Sequence, residues 1–249
     1  MEMSTPQLAP FERLFLSAEW RDLVMLNYAV EPNLLAAYVP RDTKLDSFNG
    51  TTYVSLVGFR FLRTKLFGFL TVPFHSNFDE VNLRFYVRRQ ESDGIRRGVV
   101  FISEIVPRMA IARIARTVYG ENYVSYPMRH SIERNGPRVR AAYQWRLNRE
   151  WCRLRAESSC SPAHPSEGSL NQFITEHYWG YTARPNRASL EYHVSHVPWR
   201  VWTAGAASFE GDASALYGPT FAEVLRRSPD SAFIAEGSPV LISTGNQLK

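Results

Sequence analysis

The sequence predicts a mainly β fold of the α+β type: one large, curved antiparallel sheet, closed or nearly closed, with a few short helices on its outside. Three observations lead to this prediction. About a dozen segments carry strand patterning, against four short helical segments. The chain of 249 residues, 45% of them hydrophobic, is long enough to bury one large core. No repeat or linker divides it, so we expect a single β-barrel domain over residues 11–245, with frayed ends at 1–10 and 246–249.

Strand segments are marked by β-branched and aromatic residues and by the turn residues that bound them. Residues 51–62 have apolar side chains on both faces, which predicts a central strand covered on both sides. The short link at 148–150 predicts that residues 139–157 form a hairpin. In chain order, the predicted strands are 23–29, 51–62, 78–89, 98–104, 123–132, 139–147, 151–157, 177–182, 189–196, 200–209, 231–234 and 239–242.

Helical segments are short, and their ends carry the expected signals. Pro107 suits the first turn of a helix over residues 107–119, which Gly120 terminates. Ser169 and Gln172 match a capping box that opens a short helix through residue 175. The two other predicted helices are 32–39 and 219–227.

The chain carries 29 basic and 24 acidic residues, and the lysines are Lys44, Lys65 and Lys249. Because arginine stays protonated, few side chains could supply a nucleophilic amine. The densest basic stretch, residues 138–155, alternates arginine with apolar residues, which predicts a solvated sheet face. It lacks the stacking aromatics or recognition helix of a nucleic-acid site, so we expect no nucleic-acid partner.

Cysteine content and hydropathy indicate the compartment. The sequence has two cysteines, Cys152 and Cys160, and no C-x-x-C motif. Its N-terminal residues lack a secretion signal, and no apolar run approaches the ~20 residues that span a membrane. We therefore expect a cytoplasmic protein with no membrane partner.

The most informative strand is 78–89, because its alternation is regular. Every second residue is apolar, while Glu80, Asn82, Arg84 and Tyr86 share the opposite face. Such a face borders either solvent, with ordinary cross-strand pairs, or a polar-lined cavity. In a cavity, Arg84 could bind a carboxylate, and Glu80 or Tyr86 could transfer protons.

A second candidate lies at a predicted strand-to-helix corner. Glu104 ends a strand and Arg108 starts a helix. The pair is either a structural salt bridge that braces this corner or part of a site at the mouth of the barrel.

A third candidate is an aromatic strand in which His177, Trp179 and Tyr181 share one face. Trp and Tyr combine an apolar body with a polar tip, which suits a pocket wall. His177 is either a general base or a packed, hydrogen-bonded core histidine.

Metal and cofactor sites are not indicated. His193 and His196 are three residues apart on a predicted strand, so they face opposite sides and cannot chelate one ion together. The chain has no Gly-rich phosphate loop and no G-x-S-x-G motif. We expect no metal and no cofactor.

Several runs, taken together, carry a family resemblance: FNGTTYVSLVGFRF, FDEVNLRFYVRR, RGVVFISEIVPR, YGENY, FITEHYWGYT, EYHV, LYG and AEGSPV. From about Trp20 to Val240, the chain resembles the YqjF-like family of bacterial proteins, which is placed in the acetoacetate decarboxylase-like superfamily. The resemblance implies a cone-shaped, closed antiparallel β-barrel with a central cavity.

The resemblance does not extend to the Schiff-base reaction of acetoacetate decarboxylases. Acetoacetate decarboxylases form a Schiff base on a lysine in a run of Glu, three residues, Pro, Lys, Lys. The nearest likeness here runs from Glu104 to Pro107, a spacing one residue shorter, with Arg108 and Met109 in the lysine places. Arginine supplies no neutral amine and methionine has no nitrogen, so the decarboxylation mechanism does not carry over.

Three functions remain open. The first is binding of a small organic molecule, expected to be anionic, with Arg84 and Arg108 on its charged end; the other candidate ligand-binding residues are Asn82, Tyr86, Trp179 and Tyr181. The second is a lyase- or hydrolase-type enzyme, whose candidate catalytic residues are Glu80, Glu104 and His177. The third is a partner-docking or regulatory protein without a ligand. The sequence does not indicate the oligomeric state.

Overall fold

A computed structural model describes residues 5–10, 12–71, 73–183 and 188–248, with only the backbone of Ala115. Its strands, in chain order, are β1 (Leu14–Val30), β2 (Lys44–Leu45), β3 (Thr52–Leu66), β4 (Phe78–Glu91), β5 (Gly94–Val106), β6 (Tyr123–Ser125), β7 (Met128–Asn135), β8 (Arg138–Leu147), β9 (Glu150–Ser158), β10 (Trp179–Ala183), β11 (Ser189–His196), β12 (Val201–Thr203), β13 (Ala206–Glu210), β14 (Ser231–Ser243) and β15 (Asn246–Gln247). The α-helices are α1 (Pro32–Leu35), α2 (Met109–Val118), α3 (Leu170–Thr175) and α4 (Ser214–Arg226).

Seven of these strands form a ring in the order β14, β1, β3, β4, β5, β10 and β11. The ring closes because β11 pairs with β14 as well as with β10. Adjacent strands of the ring run antiparallel, except that β5 and β10 form a parallel pair in which Trp179 lies beside Gly98. The expectation of a wholly antiparallel sheet is therefore corrected to a mixed one. The parallel pairing is possible because the chain between β5 and β10 is long enough to cross over.

A second sheet of four strands, in the order β13, β9, β8 and β7, packs against the outside of the ring. The largest hydrophobic cluster lies between the two sheets and includes the fully buried rings of Tyr143 and Trp145. The Tyr143 hydroxyl donates a hydrogen bond to the backbone oxygen of Asp22 in β1, at 2.9 Å. Both faces of the ring are thus enclosed, which explains the strand that is apolar on both sides.

Period-2 alternation sorts the residues of β4 between the two enclosed faces. Its outward face joins the core between the sheets through Val81, Leu83, Phe85 and Val87. Its inward face carries Glu80, Asn82, Arg84 and Tyr86, all of them buried. The predicted alternation is confirmed, and the polar face points into the ring.

The longest strand, β1, was only partly predicted. It starts at Leu14 rather than near residue 23, and the alternation of Leu16, Ala18 and Trp20 with polar residues was the signal available for its first half. Asp22 interrupts the strand with a positive φ of 58°, and the register with β3 shifts between Arg21 and Val24. Such a bulge increases the local twist and helps the sheet to curve into a ring.

Other differences concern the ends of elements. The predicted strands 123–132 and 200–209 are each divided into two short strands, and the predicted helix 219–227 begins at Ser214 with a kink at Gly218. Within the C-terminal segment expected to be frayed, Asn246 and Gln247 pair with β11. Residues 1–4 and 249 lie outside the described residues.

We expect Gly58→Ala to weaken the contact between the two sheets. A Cβ atom at this position would lie 2.7 Å from the Tyr143 ring, so the substitution overpacks the core and costs about 1–3 kcal/mol of unfolding free energy. Gly205→Ala is the matched control, because nothing lies within 4 Å of its Cβ position. Urea denaturation of both variants measures the difference, and equal stabilities would contradict this account of the packing.

Candidate ligand cavity

The ring encloses a cavity of about 150 Å³. Strands β1, β3, β4, β5, β10 and β11 contribute its walls, and helix α2 covers one side with Ala110, Ile111 and Ile114. Much of the lining is aromatic: Phe15, Trp20, Phe59, Phe61, Phe78 and Phe101. The volume suits a small organic molecule, and the apolar wall suits its carbon body.

Three carboxyl groups form a buried cluster at the cavity wall. Glu80 lies on β4, Glu104 near the end of β5, and Glu121 in the loop between α2 and β6. Asn82 donates to Glu80 Oε1 at 2.9 Å, and the Tyr123 hydroxyl donates to Glu80 Oε2 at 3.3 Å. Glu104 hydrogen-bonds to Glu121, which requires a proton on one of the two carboxyls.

Burial makes these carboxyl groups hold their protons. Removal from water raises the pKa of Glu80 to about 8 and that of Glu121 to about 7. Burial, together with the charges of Glu121 and Glu80, raises the pKa of Glu104 well above its usual range. At neutral pH the cluster therefore carries fewer negative charges than its three carboxyl groups suggest.

Arg84 is the buried cation of the cavity. Only 7% of the residue is exposed, and it lies one strand repeat from Asn82 on the inward face of β4. No carboxylate of the described residues is within salt-bridge distance of its guanidinium, and its Nε has no hydrogen-bond partner there. The guanidinium lies 5.8 Å from the centre of the Tyr86 ring.

His177 lines the cavity from the segment between α3 and β10. Its Nε2 lies 3.2 Å from Asp46 Oδ2, and Arg97 Nε donates to the same oxygen at 2.8 Å. Because a carboxylate only accepts hydrogen bonds, this contact places the imidazole proton on Nε2. The other nitrogen, Nδ1, is buried without a partner among the described residues. Burial lowers the pKa of His177, so the ring is neutral at pH 7.

Asp46 is suited to hold this histidine in place. Burial opposes its charge, but the hydrogen bond from His177 and the charge of Arg97 lower its pKa below the usual value. A second histidine, His196, also lines the cavity; its Nδ1 donates to the Val197 carbonyl at 2.9 Å, and burial lowers its pKa to about 4. Both imidazoles are neutral hydrogen-bonding groups at physiological pH.

Unpartnered polar atoms concentrate at this cavity. Eleven buried side-chain nitrogen or oxygen atoms of the described residues lack a hydrogen-bond partner, and six belong to residues that line it. The six are Trp20 Nε1, Thr64 Oγ1, Asn82 Oδ1, Arg84 Nε, Glu104 Oε2 and His177 Nδ1. Each such atom costs roughly 1–3 kcal/mol when unsatisfied, so a ligand that pairs with them gains binding free energy.

The structure brings together six of the nine residues singled out from the sequence. These cavity-lining residues are Glu80, Asn82, Arg84, Glu104, His177 and Trp179. Their assembly depends on the ring, which places β4 beside β5 and β5 beside β10.

Three expected members lie elsewhere. Arg108 is exposed at the start of α2 and does not line the cavity, so the expected salt bridge with Glu104 is absent. Tyr86 is buried on the inward face of β4 but does not line the cavity, and its hydroxyl contacts Ser55 Oγ at 2.6 Å. Tyr181 donates to Glu191 Oε2 at 2.7 Å and packs in the core between the sheets.

Sequence reasoning missed five residues of the site. They come from three separate stretches of the chain and are Asp46, Glu121, Tyr123, Tyr192 and His196. The alternation of Tyr119, Glu121 and Tyr123 was the available signal, because residues two apart in an extended segment share a face. No local pattern marks Asp46, whose role arises from tertiary contact alone.

Two lysines can be placed. Lys44 and Lys65 are both exposed, and neither lines the cavity; Lys249 lies outside the described residues. Within residues 5–10, 12–71, 73–183 and 188–248, no three His, Cys, Asp or Glu side chains are grouped to hold a metal ion. No helix in the described part of the chain is long and apolar enough to cross a membrane.

Comparison with known proteins identifies relatives at the level of sequence. Residues 17–239 match the model of DUF2071, described as "Uncharacterized conserved protein (COG2071)". The "Uncharacterized protein YqjF" of Bacillus subtilis (strain 168) is 27% identical over 205 residues, which cover 82% of each chain. The resemblance inferred from the sequence motifs is confirmed.

Solved structures share the fold at low sequence identity. Acetoacetate decarboxylase from Legionella pneumophila subsp. pneumophila str. Philadelphia 1 has a TM-score of 0.67 at 12% identity, covering 100% of this chain and 91% of that one. An acetoacetate decarboxylase-like enzyme from Sphingomonas wittichii RW1 has a TM-score of 0.64 at 11% identity and covers 100% of both chains. The enduracididine biosynthesis enzyme MppR, solved in complex with pyruvate, has a TM-score of 0.64 at 13% identity, covering 98% and 93%. These likenesses establish an acetoacetate decarboxylase-like fold.

The raised carboxyl pKa values predict how stability depends on pH. Below about pH 4.5, Glu80 is protonated whether the chain is folded or unfolded. Between pH 4.5 and about 8, the unfolded chain loses this proton while the folded protein keeps it, so the free energy of unfolding falls as pH rises. The loss is on the order of 1 kcal/mol per pH unit for each such group.

Glu80→Gln removes one of these groups, so stability should fall less steeply between pH 5 and 8 than in the wild type. Chemical denaturation at several pH values measures the slope. Glu223→Gln, which changes an exposed carboxyl group on α4, should leave the slope unchanged. A wild-type slope retained in Glu80→Gln would contradict the assigned proton on Glu80.

Proposed function

The chain belongs to the DUF2071 family, and on that footing we propose that it binds a small organic anion inside the seven-stranded ring. The observation that carries this proposal is the burial of Arg84 without a carboxylate partner among the described residues. A buried charge that lacks a counter-ion is costly, and an anionic ligand supplies one. A guanidinium also binds a carboxylate in a planar, two-point geometry.

The neighbouring acids support an anion rather than a cation. If Glu80, Glu104 and Glu121 were all ionised, they would neutralise Arg84 and attract cations. Their raised pKa values leave Glu80 and Glu104 largely protonated near pH 7 and Glu121 partly so, and Arg84 is then the larger local charge. Protonated carboxyls also donate hydrogen bonds, which adds to the affinity for an oxygen-rich ligand.

Size and wall chemistry narrow the ligand further. A cavity of about 150 Å³ holds a molecule of a few carbon atoms, and the surrounding phenylalanine and tryptophan rings suit its apolar part. A fold neighbour, MppR, was solved with pyruvate, which is a small carboxylate of this kind. Pyruvate is therefore a reasonable first probe for this chain.

We propose that binding does not lead to Schiff-base decarboxylation. The exposed positions of Lys44 and Lys65, both away from the cavity wall, support this view, as do Arg108 and Met109 at the expected lysine places. A Schiff base needs a neutral amine beside the ligand carbonyl.

We also propose a cytoplasmic location, without a nucleic-acid or membrane partner. Two free cysteines, one buried and one exposed, support a reducing compartment. The arginines of β8 face solvent while the residues between them face the core, as in an ordinary surface sheet.

Arg84→Gln should lower the affinity for pyruvate by about 10- to 100-fold, because it removes a charge-assisted hydrogen-bonding pair worth roughly 1.5–3 kcal/mol. Arg88→Gln is the matched control, since Arg88 lies on the same strand but is exposed. Ligand-observed NMR titration measures both affinities at one salt concentration. Equal affinities for Arg84→Gln and the wild type would exclude Arg84 as the anion site.

Sodium borohydride added with pyruvate should leave the protein mass unchanged, because no amine is positioned to form a reducible imine. Intact-protein mass spectrometry tests this expectation, and a Lys44→Arg/Lys65→Arg double variant gives the background from surface lysines. A pyruvate-derived mass increase that maps to one lysine would contradict the proposal that the cavity works without an amine.

A further inference from the structure

The hydrogen bonding of His177 is that of a general base: one ring nitrogen is bonded to a carboxylate and the other is unpartnered among the described residues. Asp46 Oδ2 accepts a hydrogen bond from His177 Nε2 at 3.2 Å, so Nε2 carries the proton and Nδ1 carries the free lone pair. That nitrogen is buried, has no partner among the described residues, and belongs to a residue of the cavity wall. A packed core histidine would have both nitrogens engaged, because a buried unpaired acceptor is costly.

The same cavity holds groups that can donate protons. Glu104 is 1% exposed and hydrogen-bonded to Glu121, while its Oε2 has no partner in the described residues. It lies directly opposite Asn82 across the β4–β5 pair. Asn82 in turn lies between Glu80 and Arg84 on one strand face. An anion at Arg84 therefore has protonated carboxyl groups on one side.

His177 lies on the other side of that anion. Its ring is 4.7 Å from the Tyr86 ring, which in turn lies 5.8 Å from the Arg84 guanidinium. The cavity thus offers a cation, a neutral base and neutral acids to one bound molecule. This combination matches the removal of a proton next to a carbonyl group.

We propose that His177 is a general base that removes a proton from the carbon beside the carbonyl group of a bound oxo acid, so that the protein interconverts keto and enol forms. This inference rests on the proposed function, because Arg84 must hold the carboxylate. Asp46 and Arg97 are positioning residues: Asp46 fixes the imidazole tautomer, and Arg97 fixes Asp46.

The step is balanced without any co-reactant. The C–H proton moves to His177 Nδ1, and its electron pair forms the carbon–carbon double bond. The carbonyl π electrons move to oxygen, which takes a proton from a protonated carboxyl group, for which Glu104 is placed. The reverse step returns a proton to carbon, and exchange of the imidazolium proton with solvent labels that position.

The unpartnered atoms of the wall indicate the class of substrate. Arg84 Nε supplies a donor for a carboxylate, and His177 Nδ1 and Asn82 Oδ1 supply acceptors that favour a C–H or O–H group. A molecule with a carboxylate, a carbonyl and an adjacent C–H meets these requirements. We therefore choose 2-oxobutanoate as the substrate probe and oxamate, which lacks the C–H, as a non-reacting analogue.

Proton NMR in D₂O tests the proposal directly. The wild-type protein should replace one of the two C3 hydrogens of 2-oxobutanoate by deuterium faster than buffer does, because an enclosed base reaches one face of the carbon. Oxamate should inhibit this exchange. His177→Gln should lower the rate by at least about 100-fold, in the range expected for loss of a general base. His164→Gln, an exposed histidine, is the control and should retain the rate.

The Asp46→Asn variant tests whether Asp46 positions the His177 imidazole or only supports the fold. The groups that face His177 are Asp46, Arg97, Arg84 and Tyr86, and among them Asp46 raises the imidazole pKa. Its replacement should move the acid limb of the exchange-rate profile to lower pH, in addition to slowing exchange. A slower rate with an unmoved limb would overturn the positioning role.

Two results distinguish this inference from the proposed function. If wild type binds oxamate through Arg84 but exchanges no deuterium, the base assignment is wrong and anion binding stands. If neither oxamate nor 2-oxobutanoate binds, both fail. Oxamate binding by His177→Gln shows that this variant is folded; exchange at the wild-type rate in that variant would overturn the role of His177.

Discussion

An arginine side chain removed from water without a carboxylate beside it is the constraint on which the rest of the site depends. Arg84 has no freedom to face solvent, because Leu83 and Phe85 on either side belong to the core between the sheets. Strand alternation then sends Arg84 inward, and the closed ring surrounds it. The fold thus stabilises a buried charge through apolar contacts made by its neighbours in sequence. Turning Arg84 toward solvent would require Leu83 and Phe85 to leave the core between the sheets.

The buried carboxyl groups follow from the same enclosure. Burial inside the ring favours the neutral form of Glu80, Glu104 and Glu121, which pair with tyrosine hydroxyls or with each other. If they were ionised, they would repel one another and cancel the charge of Arg84. Enclosure therefore affects the two kinds of group differently: the Arg84 guanidinium is a permanent cation, whereas burial favours the protonated form of the acids.

Much of the fold could be predicted from the sequence, because alternation and turn residues are local signals. For this reason the sequence predicted the polar face of β4 and the exposed arginines of β8. The parallel pairing of β5 with β10 was not, since it depends on where a long crossover returns. The site divides in the same way: Glu80, Asn82 and Arg84 share one strand, whereas Asp46 reaches His177 across 131 residues of sequence. Arg108 was wrongly assigned to the site because its proximity to Glu104 in sequence suggested a contact. In the structure Arg108 is exposed.

The chemistry of the cavity can be separated from its architecture. Structural neighbours at 11–13% identity share the overall fold, so the fold persists across wide changes of sequence. In this chain the polar lining comes from β4, from the end of β5, from the segment between α2 and β6, from the segment that enters β10, and from β11. None of these contributes an amine; they contribute a guanidinium, neutral carboxyls and an imidazole. A guanidinium can hold a carboxylate without forming an imine, which is consistent with the proposed non-covalent binding. In the proposed proton transfer, the Nδ1 of His177, unpartnered among the described residues, is the atom of the wall that takes the proton.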